Sequence, residues 1–222
     1  MTPVVLVPGM LCDADLWSDL PELPGEVVRA EITEPSVGGM AEQVLSAVDG
    51  EFALVGLSLG AIVGFEVLRR APERVSAFGA LSTNAGAPRP EQLRTWQRQA
   101  AADFDEVVAE ILPAMFAEPR SPLRERFLGM AKRIGPEVFR AQLAAQATRT
   151  EAFDAIAGYR GPVRVLCGDR DALCPTGFHE DIAESAPRGR LHVLSGAGHL
   201  LPLERPAVVG ALIRRLLERG EG

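Results

Sequence analysis

The stretch FALVGLSLGAIVGFE, residues 52–66, decides the fold. Its first six residues are a continuous apolar run of strand length, and from Leu59 the pattern changes to a helical spacing that carries on to Arg69 and Arg70. A strand that is apolar on both sides belongs in a parallel sheet covered by helices on both faces. Between the two elements stands Gly56-Leu57-Ser58-Leu59-Gly60, a hydroxyl between two glycines. A chain that turns at once from strand into helix forces the residue at the turn into a strained conformation, and the residues two positions away must be small. Gly56 and Gly60 meet that demand. Ser58 is therefore expected at the C-terminal end of a strand with its oxygen lifted clear of the sheet. The N–H of Leu59, at the helix start, then points toward any anion that forms there.

Working outward, apolar runs of strand length recur at 4–7, 27–32, 75–81, 163–167 and 191–194, with helical patterns between them. The helices carry stop signals: 59–70 ends before Ala71-Pro72, 176–186 before Pro187, and 205–219 at Gly220. The expectation is an α/β core with a doubly wound, mainly parallel sheet. Residues 84–161 hold no strand-like run and read as helices at 91–102, 104–116, 123–134, 137–148 and 151–157. Asp103 and Glu106 have capping-box spacing, and Ser121-Pro122 places a cap before a proline at the first helical position. We expect residues 85–160 to form a helical cap, inserted between the fourth and fifth strands of a core made by 1–84 and 161–222.

Composition sets the outer bounds. A chain of 222 residues accommodates a core domain with an insertion, and 47% hydrophobic with 24% charged residues is ordinary for a soluble globular protein. No stretch reaches the ~18 uninterrupted apolar residues of a membrane span. The opening residues enter an apolar run without a basic leader, so no secretory signal and a cytoplasmic location are expected. A net charge of −7, with basic residues scattered singly or in pairs, is the wrong sign and pattern for gripping nucleic acid. Cys12, Cys167 and Cys174 form no Cys-x-x-Cys pair, and His179, His192 and His199 are the only histidines. Neither a disulfide framework nor a metal site is expected, and no cofactor is called for.

A serine hydroxyl is a poor nucleophile without a base, and the base needs an orienting group. His179 falls inside the helix at 176–186, where a lone histidine reads as solvated or capping. His192 lies within a strand, its side chain toward a helix layer. His199, in SGAGHLLPLERP at 195–206, follows that strand on a glycine-bearing loop from which its ring can reach across the sheet edge, and it is the expected base. The acid is sought in VRVLCGDRDALCP at 163–175. There Asp169 lies closer to the strand and serves the turn, whereas Asp171 is far enough out to reach a neighbouring loop and is preferred. Ser58, Asp171 and His199 thus each sit beyond a different strand end, on the edge where open parallel sheets place their sites. After the first strand, the glycine turn of VPGMLC at 7–12 exposes the N–H of Met10 opposite that of Leu59, a two-donor oxyanion hole.

On LVPGM at 6–10, GLSLG at 56–60, GDRD at 168–171 and GAGHLLPLERP at 196–206, with the helical insertion, the chain resembles the α/β-hydrolase family over almost its whole length. The resemblance implies Ser58 as nucleophile, Asp171 as acid, His199 as base, and Met10 with Leu59 as oxyanion donors. The chain departs from the family at Pro8-Gly9, where many members have His-Gly. The strand usually third in the family comes first, so the N-terminal edge hairpin is lacking. The implied activity is hydrolysis of a small, largely apolar carboxylic ester or lactone, with that small molecule as partner. Expected pocket residues are Leu11, Cys12 and Trp17 from the core, Trp96, Met115 and Phe116 from the cap, and Leu200 and Leu201 beside the base; nothing basic is expected there. Cys12 lacks the strained turn of a nucleophile and reads as a small buried residue. The same fold also serves carbon-carbon hydrolases, perhydrolases, cyanohydrin lyases and receptor-like binders. Lyases usually place a lysine near the base, whereas the single lysine here, Lys132, falls in the cap, and a binding-only member would lack a triad residue.

Overall fold

The computed structural model describes residues 2–118 and 121–219, without the side chains of 121 and 219. The cap expected from the Ser121 side chain and the stop at Gly220 lie outside the described residues. Six strands form one sheet: β1 Val4–Val7, β2 Val27–Arg29, β3 Phe52–Leu57, β4 Val75–Leu81, β5 Val163–Gly168 and β6 Gly189–Leu194. Their order is β2-β1-β3-β4-β5-β6, and every pairing is parallel. Each predicted apolar run is a strand, but the second stops at Arg29 instead of continuing to 32. Beyond it only the Ala30 N–H still reaches Leu6 O, at 3.0 Å, and the Thr33 N–H is taken by the Gln43 side chain at 2.9 Å. A neighbouring side chain, not the β1 backbone, holds that segment.

The helices are α1 Val37–Ser46, α2 Leu59–Arg70, α3 Pro90–Ala101, α4 Phe104–Ile111, α5 Ser121–Thr148, α6 Phe153–Gly158, α7 Thr176–Ser185, the short α8 Leu201–Glu204, and α9 Pro206–Arg219. Alternation along the strands sends side chains to two buried faces. Val4, Leu6, Val55 and Leu57 join a cluster with Val209 and Ile213 of α9 and with Val107, Phe127 and Phe139 of α4 and α5. Val5, Val7 and Leu54 face Met40 of α1, Phe65 of α2 and Ile182 of α7. Each such side chain withdrawn from water contributes ~1.5–3 kcal/mol. That two-sided burial is why the strands read as unbroken apolar runs.

Between β4 and β5 the chain is helical among the described residues, with two local differences from the sequence reading. The helix expected at 104–116 ends at Ile111 and tightens into a 3-10 turn, Leu112–Ala114, because Pro113 has no N–H to continue an α-helix. The helices expected at 123–134 and 137–148 form one element, α5, broken at Gly135, whose φ of 71° and ψ of 172° are not helical. The residue before a proline, here Pro136, is pushed out of the helical region. Among the described residues no helix is long and apolar enough to cross a membrane.

Candidate active site

Ser58 occupies the turn between β3 and α2 with φ 52° and ψ −115°, a region that costs a non-glycine residue ~1–3 kcal/mol. Close approaches on both sides hold it there. A Cβ on Gly56 would lie 2.4 Å from the Ala61 nitrogen, and one on Gly60 would lie 2.3 Å from Val7 O. The Ser58 N–H donates to Leu81 O at 2.8 Å, and its carbonyl accepts from the Thr83 hydroxyl at 3.0 Å. The elbow is thereby fastened to the ends of β1 and β4. A Cβ on Gly9 would sit 3.4 Å from Ser58 Cβ, so the turn after β1 lies directly against the serine. In that turn Leu11 has φ 63°, its N–H donates to the buried Gln142 side chain at 3.0 Å, and the Cys12 N–H closes on Gly9 O at 3.2 Å. The N–H groups of Met10 and Leu59 have no hydrogen-bond partner among the described residues.

His199 and Asp171 meet as a buried pair. Nδ1 of His199 lies 2.8 Å from Asp171 Oδ2, and the residues are 3% and 6% exposed. The other carboxylate oxygen, Oδ1, accepts from the N–H groups of Leu173 and Cys174, both at 2.9 Å. Burial works to raise the Asp171 pKa, but the His199 charge and hydrogen bond and the two backbone donors outweigh it, leaving the carboxyl below its ordinary range. Asp169 instead accepts from the Gly196 N–H at 2.7 Å, tying the β5 and β6 turns together. Ser58 Oγ and His199 share no hydrogen bond among the described residues.

Several polar residues that the sequence reading passed over position this set. Glu204, in α8, accepts from the Gly198 N–H at 3.0 Å and from the Ala117 N–H at 3.1 Å, so one carboxylate joins the loop carrying His199 to the chain after α4. The Leu200 N–H donates to Met115 O at 3.1 Å beside it. Burial pushes the Glu204 carboxyl up despite those donors. His179 is not the solvated or capping residue expected: it is fully buried, its Nε2 accepts from the Thr83 N–H at 2.8 Å, and Nδ1 lies 3.3 Å from Pro175 O. Those partners call for the neutral tautomer with its proton on Nδ1. Burial lowers the pKa of His179 to about 4. An acid and an amide set among apolar residues, Glu204 in LLPLERP and Gln142 on α5, were the available sequence signals.

Leu11, Cys12, Trp17, Met115, Phe116, Leu200 and Leu201 are buried in the cluster on the α9 side of the sheet, and Trp96 packs against it. Cys12 also lines a cleft of about 610 Å³ with Pro8, Ile32, Arg133 and Gln142. Burial raises its thiol pKa far above the ordinary value, so it is no nucleophile. His192 lies on the edge strand β6 and lines a cleft with Ala207, Val208 and Arg215 of α9, so its side chain faces a helix as expected while remaining exposed. Arg149, which is 6% exposed, holds its guanidinium 5.4 Å from the Trp96 ring. Asp171, Cys174 and His199 have ligand-type atoms within 4.8 Å of one another. Their acid and imidazole already bind each other, and burial keeps the Cys174 thiol protonated, a donor set suited to holding a ring in place.

A family model described as the alpha/beta hydrolase family matches residues 4–212. A Mycobacterium tuberculosis protein that bears the name of a non-heme bromoperoxidase is 28% identical over 177 residues; the match covers 70% of this chain and 64% of that relative's length. A pimeloyl-acyl-carrier-protein methyl ester esterase of Chromobacterium violaceum is 25% identical over 201 residues, covering 81% of this chain and 75% of the relative. Among solved structures, a thermophilic esterase from Thermogutta terrifontis superposes with a TM-score of 0.85 at 25% identity, over 100% of this chain and 91% of that one.

Proposed function

This chain belongs to the alpha/beta hydrolase family, and from that premise we propose that it is a serine hydrolase cleaving a small, largely apolar carboxylic ester or lactone. The observation that supports this most is the buried 2.8 Å contact of His199 with Asp171 on the same sheet edge as a serine held at positive φ. In the proposed cycle, His199 Nε2 takes the proton of Ser58 Oγ, and the oxygen attacks the ester carbonyl carbon. The oxyanion accepts the unpartnered N–H groups of Met10 and Leu59, each such donor being worth ~3 kcal/mol of barrier. His199 returns the proton to the departing alkoxide. Water, activated by the same imidazole, then releases the acid from the acyl-serine. Asp171 fixes the ring with Nδ1 protonated, which leaves Nε2 free to act as base. Catalytic hydrogen bonds in unliganded sites are often long and tighten around substrate, so an open Ser58–His199 contact accords with this role.

The apolar surroundings from Leu11, Trp17, Met115, Phe116 and Leu200 favour an uncharged acyl or alcohol group at the reacting centre. A panel of p-nitrophenyl esters of increasing acyl length tests the proposal. Turnover is expected with the short esters, and Ser58→Ala should lower kcat by on the order of a thousandfold or more while the chain stays folded. Ester turnover retained in Ser58→Ala would remove the assignment.

A further inference from the structure

Arg149, at the junction between α5 and α6, is a buried cation without an anionic partner. Its Nη1 donates to Gln146 Oε1 at 3.1 Å and its Nη2 to Gln92 Oε1 at a long 3.5 Å, both neutral amides. Its Nε is buried with no partner at all, and no carboxylate pairs with it among the described residues. A buried charge is ordinarily paired, so a guanidinium left with two amides and an aromatic face has unused capacity for an anion.

Arg149 is among the residues lining a cleft of about 450 Å³ between the start of α1, the outer face of α2 and the α5–α6 junction. Arg69 and Arg70 line the same cleft, against a single carboxylate, Glu66, which both of them already engage; Arg70 also pairs with Glu42 at 2.6 Å. The first turn of α1 opens into it. There Ser36 Oγ takes the Gly39 N–H and Thr148 Oγ1 takes the Val37 N–H, both at 3.0 Å, which leaves the Gly38 N–H unpartnered among the described residues. A Cβ on Gly38 would lie 2.5 Å from Arg70 Nη2, so the guanidinium stands directly over this glycine. A helix N-terminus, a neighbouring arginine and a buried unpaired arginine converge on one space. Arg149 also lines a smaller cleft of about 200 Å³, but Asp181 stands there and opposes an anion.

We propose that the larger cleft is a binding site for a small oxyanion, a phosphate or carboxylate group, with Arg149 as its buried anchor and Arg70 and the Gly38 N–H at its mouth. This site is separate from Ser58 and does not depend on the ester reaction.

Isothermal titration calorimetry of the full chain at constant ionic strength tests it, with sodium phosphate and sodium acetate as separate probes against chloride. One-to-one saturation by phosphate, by acetate or by both is expected, and the stronger probe identifies the ligand's anionic group. Arg149→Gln should weaken binding at least tenfold, and Arg70→Ala, a partly exposed change that leaves the interior intact, several-fold. Arg89→Ala, in the smaller cleft, and Ser58→Ala should bind as the wild type does. The proposal is overturned by no saturation with either probe. It is equally overturned by wild-type binding in Arg70→Ala and any folded Arg149→Gln, or by loss of binding in Arg89→Ala or Ser58→Ala.

Discussion

Ser58 is held at φ 52° by the packing of Gly56 and Gly60, and that strain separates stability from activity at one position. Ser58→Gly relieves a conformation costing ~1–3 kcal/mol and gives back ~0.5–1 kcal/mol through a freer unfolded chain. The expected result is an inactive variant about 1 kcal/mol more stable than wild type in urea unfolding. Ser58→Ala should be inactive at nearly unchanged stability, and a destabilised Ser58→Gly would contradict the strain argument. His179 makes a second prediction at this scale. Burial lowers its folded pKa to about 4, whereas an unfolded histidine titrates near ~6.5. Between those values the unfolded chain binds more protons, so stability falls as the pH drops from about 6.5 to about 4, by on the order of 3 kcal/mol. Burial raises the Glu204 pKa, which acts in the opposite sense, so the difference between wild type and His179→Gln isolates the histidine. Denaturant unfolding at pH 7 and pH 4.5 should show a smaller loss in the variant. Equal losses would mean that His179 does not drive the acid sensitivity.

At the scale of elements, the site depends on how closely loops approach one another. Gly60→Ala would drive a methyl to 2.3 Å from Val7 O and should cost roughly 4 kcal/mol or more, read as a large fall in Tm. Glu204 binds two loops at once, through the Gly198 and Ala117 N–H groups. Glu204→Ala leaves both donors without their acceptor, at ~1–3 kcal/mol each, and frees the loop carrying His199. We expect kcat to fall about tenfold or more with KM changed less, and Glu204→Gln, which keeps an acceptor oxygen, to recover part of it. A Glu204→Ala enzyme with unchanged kcat would show that the clamp does not position the base. These contacts also mark how far the sequence could be read. The elbow, the strands and the loops holding Asp171 and His199 follow local patterns, because each lies immediately beyond an apolar run. The Thr83–His179, Ala117–Glu204 and Leu11–Gln142 bonds join residues 96, 87 and 131 positions apart. Periodicity tells which face of a helix is buried, but it does not tell which polar atom waits there.

Across the whole molecule, the helices between β4 and β5 share a core with the sheet. Phe127, Met130 and Phe139 of α5 lie in the same cluster as Val4, Leu57 and Leu166 of the strands, together with the indole of Trp17. Trp96 of α3 packs against that cluster. The parallel sheet was readable because its inner strands β1, β3, β4 and β5 are buried on both faces; the strand order and the mixing of cap and core were not, since an apolar face looks the same whichever surface covers it. One cooperative unit should report identically from both tryptophans. With Trp96→Phe to isolate Trp17 and Trp17→Phe to isolate Trp96, the urea transitions of each variant followed by fluorescence and by far-ultraviolet circular dichroism should coincide. A Trp96 signal lost well before the secondary structure would show the cap unfolding by itself. The central claim, that Ser58 is a nucleophile activated by the His199–Asp171 pair, is tested most directly by fluorophosphonate labelling followed by intact-mass measurement and peptide mapping. The account predicts one adduct per chain, on Ser58, absent in Ser58→Ala and greatly slowed in His199→Ala. An adduct on another residue with Ser58 unmodified, or labelling that proceeds undiminished without His199, would contradict it.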